Sequence, residues 1–274
     1  MSFNMVVLVK QVPNTSNIVE DAMKPDGTVN REALPAIINP EDLCALEEAL
    51  KIKENAGGSI TVISMGPPKA EDVLRYCLCM GADKAILLSD RRFAASDTLA
   101  TSYTLTKAIE KLPSFDIIFC GRQAIDGDTA QVGPQVAEKL NINQLTYVFN
   151  IVELTKEYIV VKRDIGDGYE ICKSPLPVLL TISSKANTPR PPSVKRAMAY
   201  KKLKAQKNDN ALILLWDLES IGADPNRCGL KGSKTRVKKV ENVVLKTFDK
   251  KEIQPTLDSI SELLKELKED HIIG

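Results

Sequence analysis

The sequence predicts an α/β protein: a parallel sheet with helices on both faces, then an antiparallel hairpin region and a C-terminal arm. Three observations carry this. Four short runs rich in β-branched and other apolar residues alternate with stretches of helical periodicity as far as Leu140. The connections between those runs have crossover length, which parallel strands need. Beyond Leu140 the pattern shifts to alternating runs joined by short turns, the mark of antiparallel pairing.

Asn4–Val12 (NMVVLVKQV) reads as the first buried strand, ended by Pro13 and Asn14. Asn14–Asn30 is polar, with a turn signal at Lys24-Pro-Asp-Gly27. Asn39 precedes Pro40, so it is extended, and Pro40 suits the first position of a helix capped by Asn39. Leu43, Leu46, Ala49, Leu50 and Ile52 give that helix an apolar stripe. Asn39 is either the cap alone or an amide presented to a ligand at the top of the sheet.

Ser59–Met65 is the second strand, and Ala70–Met80 is a helix stopped by Gly81. Lys84–Leu88 is the third strand, followed by a helix over Thr98–Leu112. Phe115–Cys120 is the fourth strand, and Gly121 ends it. The stretch to Leu140 then reads as a polar loop and a helix, apolar at Val132, Val136 and Leu140, with small Gly133 and Ala137 on another face.

The loop Arg122–Asp128, between Gly121 and the helical spacing that begins at Ala130, is the leading candidate site. A joint between the C-terminal end of a parallel strand and a helix N-terminus is where α/β proteins hold nucleotides. Unpaired amides of the first helical turn point outward there, and the macrodipole adds positive charge. Gly121 and Gly127 permit close backbone approach, and Gln123 and Gln131 both donate and accept hydrogen bonds. Asp126 and Asp128 suit hydroxyl groups or caps better than phosphate. The competing reading is a plain strand–helix joint with Asp128 or Thr129 as N-cap.

Downstream, Leu145–Leu154 and Tyr158–Arg163 read as an antiparallel pair, and Tyr169–Lys173 as a return strand after a Gly166-Asp-Gly168 turn. Val178–Ser183 is a further strand. Ala186–Ser193 (ANTPRPPS) holds three prolines and is an extended loop. Val194–Leu203 is basic and helix-prone. Asn208–Ser220 holds one apolar run (ALILLW), and Asn226–Arg236 is a basic, glycine-containing loop without P-loop spacing. Pro255–Lys268 is amphipathic, apolar at Leu257, Ile260, Leu263, Leu264 and Leu267. The expected division is an α/β domain over residues 1–200 and an arm over residues 201–274.

Composition narrows the function classes. A net charge of +1 gives no field that favours nucleic acid, and aromatic residues do not interleave with basic ones. No apolar run reaches membrane-spanning length and no signal peptide is visible, so a cytoplasmic protein is expected. The six cysteines show no paired metal-binding spacing and read as buried free thiols of a reducing compartment. The one histidine, His271, lies next to the C-terminus, which argues against histidine-based hydrolysis or metal binding. No GxGxxG follows any strand. No residue stands out as an acid, base or nucleophile.

Three stretches together resemble the beta subunit of electron transfer flavoproteins. They are Gly121–Val132; Ile38-Asn-Pro40 before a Glu-rich helix, with Ser64-Met-Gly-Pro67 and Met80-Gly-Ala-Asp83 following; and Val161-Lys-Arg-Asp164 through Glu170 to Pro177-Val-Leu-Leu-Thr181. The resemblance spans roughly the first 200 residues. It implies a Rossmann-like, adenine-nucleotide-binding domain paired with an alpha subunit that carries FAD. In the mitochondrial type the beta site holds AMP; in the electron-bifurcating type of anaerobes it holds a second FAD, reduced by NADH. The Asp26–Ala33 insert and the Gly127–Pro134 sequence look like the bifurcating group, so FAD is expected, with AMP as the alternative. Carried over residue by residue, the implied ligand site comprises Leu8, Val9, Asn39, Met65, Gly121, Arg122, Gln123, Ile125, Asp126, Gly127, Asp128, Thr129, Ala130, Gln131 and Val132. The segment at Val194 resembles the part that docks a flavin dehydrogenase of acyl-CoA or other type, though Pro191 and Pro192 depart from the mitochondrial pattern. The arm is expected to pack on the partner subunit. A different class, a free-standing adenine-nucleotide-binding regulator, would be a monomer that binds ATP alone; the amphipathic C-terminal segment disfavours it.

Overall fold

Alternation along the central strands explains how one sheet carries two layers of helix. In β1 (Phe3–Leu8), Met5 and Val7 face one apolar cluster while Val6 and Leu8 face another. In β6 (Ile117–Gly121), Ile117 and Phe119 join the first cluster, and Ile118 and Cys120 the second. The first cluster is roofed by α1 (Pro40–Ala56) and α2 (Glu71–Met80), the second by α3 (Thr98–Glu110) and α4 (Val132–Leu140). Strands buried on both faces read as continuous apolar runs, which is why they were legible in the sequence.

This computed structural model describes residues 2–14, 35–205, 212–235, 252–269 and 272–273. The expected turn at Lys24–Gly27, the Asp26–Ala33 insert and His271 lie outside them. Two compact units are formed, Met1–Lys238 and Lys239–Gly274. Among the described residues no helix is long and apolar enough to cross a membrane. Five of the six cysteines are buried free thiols, and Cys172 is half-buried.

The first unit holds a nine-stranded sheet. Besides β1 and β6 it comprises β4 (Gly58–Met65), β5 (Lys84–Leu88), β7 (Asn143–Leu154), β8 (Tyr158–Asp164), β9 (Tyr169–Pro175), β10 (Val178–Ile182) and β11 (Ile213–Trp216). Their order is β11-β5-β4-β1-β6-β10-β7-β8-β9. The seven from β11 to β7 run parallel; β8 and β9 are antiparallel additions. The fold class is therefore the one expected, a mostly parallel sheet between helices with an antiparallel hairpin region.

Three elements differ from expectation. The first strand ends at Leu8, because Asp42 captures the Lys10 amide and turns the chain. Residues Gln11–Pro13 then form a separate strand, β2, paired with β3 (Ala36–Ile38) in a small antiparallel ladder. Strand β10, the further strand of the sequence, lies between β6 and β7 and runs parallel to both. The ALILLW run supplies β11, which pairs with β5 at the sheet edge downstream of residue 200. After β10, the proline-rich segment clasps α1: Arg190 reaches Glu47 and Glu54, and Asn187 donates to the Cys44 carbonyl and to Glu48. Helix α5 (Val194–Ala205) follows, with Val194 and Met198 exposed. In the second unit, α7 (Leu257–Glu269), which follows the short α6 (Gly229–Gly232) in chain order, buries none of its residues.

Candidate functional site

The chain leaves β1 toward β4, β5 and β11 on one side and returns through β6 toward β10 and β7 on the other. The order reverses between β1 and β6, and the crevice beyond their C-terminal ends is where open α/β sheets bind ligands. The expected site residues converge there on the ends of three adjacent strands. Leu8 and Val9 close β1, both buried, with the Val9 amide donating to the Ile63 carbonyl. Met65 closes β4, packed against the α3–α4 side of the core. Gly121 closes β6 and opens the loop to α4.

The N-terminus of α1 holds this loop. Asn39 is fully buried and its backbone carbonyl starts the helix by accepting from the Asp42 and Leu43 amides. Its side chain caps nothing in its own helix. Instead Nδ2 donates to the Gln123 carbonyl at 2.8 Å and Oδ1 accepts from the Ile125 amide at 3.1 Å. Glu41 accepts from Arg122 Nε at 3.1 Å and from the Gln123 amide at 3.0 Å. Asp42 accepts from the Lys10 amide at 2.8 Å and the Gly121 amide at 2.9 Å, tying the end of β1 to the end of β6. Burial pushes the Asp42 carboxyl up to about 7, against the pull of those two amides. Both acids lie in the first turn of α1, where the macrodipole favours negative charge.

The rest of the loop is more exposed. Lys10 Nζ reaches across the crevice to Asp126 at 2.7 Å. Ala124 accepts from the Gly127 and Asp128 amides, forming a tight turn, and Gln123 Nε2 donates to Asp128. Asp128 and Ala130 take left-handed backbone (φ 47° and 52°), a conformation unfavourable for both and especially for an alanine. Neither Asp128 nor Thr129 caps α4; the flanking residue is Gln131, with no side-chain cap and no acid in the first turn. That helix end is therefore not neutralised by its own sequence, which suits an anion. Gln131 instead accepts from Thr98 at the start of α3, and Val132 packs on the core. Arg122 lies 5.5 Å from the centre of the Tyr147 ring, a cation–π distance.

Glycine plays different parts at three positions. A Cβ on Gly121 would lie 2.5 Å from Asp42 Oδ1 and 2.8 Å from the Asp42 nitrogen, so contact with α1 explains this glycine. A Cβ on Gly127 would meet nothing within 4 Å. Gly133, in the first turn of α4, would clash with Cys120 Sγ at 2.7 Å, which is why the helix face against β6 is small.

The sequence did not reveal Lys10, Glu41 or Asp42 as parts of this site. Two acids after Asn-Pro read as dipole complements of a helix start. That they reach amides some 80 positions away follows from the sheet order, which brings α1 over β6.

Known proteins resemble this chain over most of its length. The electron transfer flavoprotein domain matches residues 26–209. The electron transfer flavoprotein subunit beta of Thermoanaerobacterium thermosaccharolyticum is 52% identical over 235 residues, 85% of this chain and 86% of that one. That of Clostridium acetobutylicum is 45% identical over 271 residues, 98% of this chain and 100% of that one. The caffeyl-CoA reductase-Etf complex subunit CarD of Acetobacterium woodii is 43% identical over 272 residues, covering 98% and 99% of the two chains. With a family domain over most of the chain and relatives aligned almost end to end, the chain belongs to the electron transfer flavoprotein family, as a beta subunit.

Proposed function

We propose that this chain pairs with an alpha subunit and holds FAD in the β1–β6 crevice, moving electrons between NADH or a flavin dehydrogenase and other acceptors by flavin-based bifurcation or confurcation. One observation carries the reading: a loop with an unneutralised helix start hangs over the switch point of the sheet, fastened from behind by the N-terminus of α1. The adenosine and phosphate end of the ligand would lie along Gly121–Val132 and the ends of β1 and β4, at Leu8, Val9 and Met65. The flavin supplies the redox chemistry; the protein orients it and sets the charge around it. Arg122, paired with Glu41, places a cation at the loop's fastened end.

Two relatives support an acyl-CoA reductase as the electron partner. One is named for a caffeyl-CoA reductase-Etf complex. The other, from Anaerotignum propionicum, is an acryloyl-CoA reductase electron transfer subunit, 44% identical over 269 residues. The partner enzyme docks near the exposed Val194 and Met198 of α5. The C-terminal arm, with α7 at its end, packs on the alpha subunit: its apolar residues Leu257, Ile260 and Leu264 are exposed here, and such a face needs a surface.

Heat extraction of the purified heterodimer tests the reading. Two FAD per heterodimer is the expected result. One FAD and one AMP would identify the alternative, a non-bifurcating carrier in which AMP is a structural ligand.

A further inference from the structure

We propose that Asp42 is a positioning residue for the ligand of the β1–β6 crevice: its ionised carboxylate holds the ends of both strands and the start of the loop, so ligand retention follows the ionisation of this one buried group. The inference rests on the nucleotide reading above and goes further, since it assigns that site a built-in pH response.

The geometry is that of a bridge. Direct pairing of β1 with β6 runs over Met5–Val7 and Ile117–Phe119. Beyond it, Asp42 accepts from the Lys10 amide with one oxygen and from the Gly121 amide with the other. Gly121 has no side chain, and this lets the carboxylate approach its backbone. An ionised carboxylate is purely an acceptor and satisfies both amides. A proton on either oxygen removes its negative charge and leaves it a weaker acceptor, and one arm of the bridge weakens. The loop, which begins at Gly121, then loses part of its anchor to β1.

The charged surroundings leave Asp42 as the group that switches. From its own helix Glu41 faces Arg122 and the Gln123 amide. From the end of β1 the Lys10 ammonium is held by Asp126. The thiols of Cys44 on α1, Cys77 on α2 and Cys120 on β6 all feel its charge. Burial raises all three, Cys44 to about 11, so they stay neutral near pH 7. The Asp42 carboxyl, pushed up to about 7, changes charge where those thiols do not.

The test is equilibrium dialysis of the intact heterodimer against FAD from pH 5.5 to 8.5, with AMP as a second probe. FAD decides, because its pyrophosphate does not titrate in this range. Linkage predicts FAD binding about tenfold weaker at the acid end, with the change centred near pH 7. In Asp42→Asn, affinity at pH 8.5 should fall about tenfold and the pH dependence should flatten. A flat wild-type profile overturns the proposal, and so does an Asp42→Asn variant that keeps the wild-type profile. If the variant does not fold, the wild-type profile alone decides. Wild-type heterodimer that binds FAD with a flat profile removes the role of Asp42 and leaves the nucleotide reading standing. Heterodimer whose crevice takes neither FAD nor AMP at any pH removes both.

Discussion

At the scale of single residues, the site is a set of side chains that spend their polar groups on another segment's backbone. Asn39 is the plainest case. It occupies an N-cap position, where its side chain would ordinarily accept from its own helix, yet both amide groups serve the loop. Asn39→Ala should therefore cost more than a lost cap. It leaves the Gln123 carbonyl and Ile125 amide without this partner, about 2 kcal/mol in total. A thermal melt should show this as a midpoint several degrees lower. The two loop glycines separate structure from ligand. Gly121→Ala drives a methyl group into α1 and should destabilise by about 1–3 kcal/mol. Gly127→Ala meets no atom and should leave stability within about 0.5 kcal/mol. If Gly127→Ala keeps its melting midpoint and loses bound flavin, close approach of a ligand is the reason for that glycine; full flavin content would make it an ordinary turn residue.

At the scale of elements, α1 does the most. A surface helix buries one stripe, and of the expected one Leu46, Ala49, Leu50 and Ile52 are buried while Leu43 is half-buried against the same core. But Glu41, Asp42, Glu47 and Glu48 are buried too. Each has a partner from a distant element: the β6 loop, the end of β1, or the proline-rich segment after β10. Arg190 is the counterpart at the far end, gripping the buried Glu47 and the exposed Glu54. Removing it strands a buried carboxylate, so Arg190→Ala should cost about 2–4 kcal/mol. Limited proteolysis should then cut first in the released stretch between Ala186 and Ser193. A cut elsewhere, or an unchanged pattern, would mean that the prolines alone hold the segment in place.

At the scale of the whole molecule, two acids of opposite behaviour give stability a particular pH dependence. Asp42 has its folded pKa raised, so its favourable contribution is complete below the unfolded value near 4 and is lost as pH rises through about 7. Asp97 behaves oppositely. Backbone amides at the start of α3 and in the Gly229–Thr235 stretch hold its carboxyl below the usual range, so its contribution is lost on acidification. Unfolding curves of wild type and Asp42→Asn taken from pH 5 to pH 8 isolate the first effect. The stability of wild type relative to the variant should decline as pH rises. A constant difference would mean that Asp42 titrates in its ordinary range.

The sequence by itself determined the fold class and marked the joint between β6 and α4 as the candidate site. Doubly buried strands must be continuous apolar runs, and crossovers must be long, so β1, β4, β5 and β6 with their helices could be read locally. The loop between β6 and α4 was legible for the same reason: glycine, proline and polar clusters mark where a strand hands over to a helix. Tertiary structure alone decided what holds that loop. Asn39, Glu41 and Asp42 carry no local sign of the amides they meet, because those partners are brought close by the order of strands in the sheet. The same holds for β10, threaded between β6 and β7, and for β11, a short apolar run that became a strand because β5 offered an open edge. Periodicity records which face of an element is buried; which neighbour buries it is a property of the assembled chain.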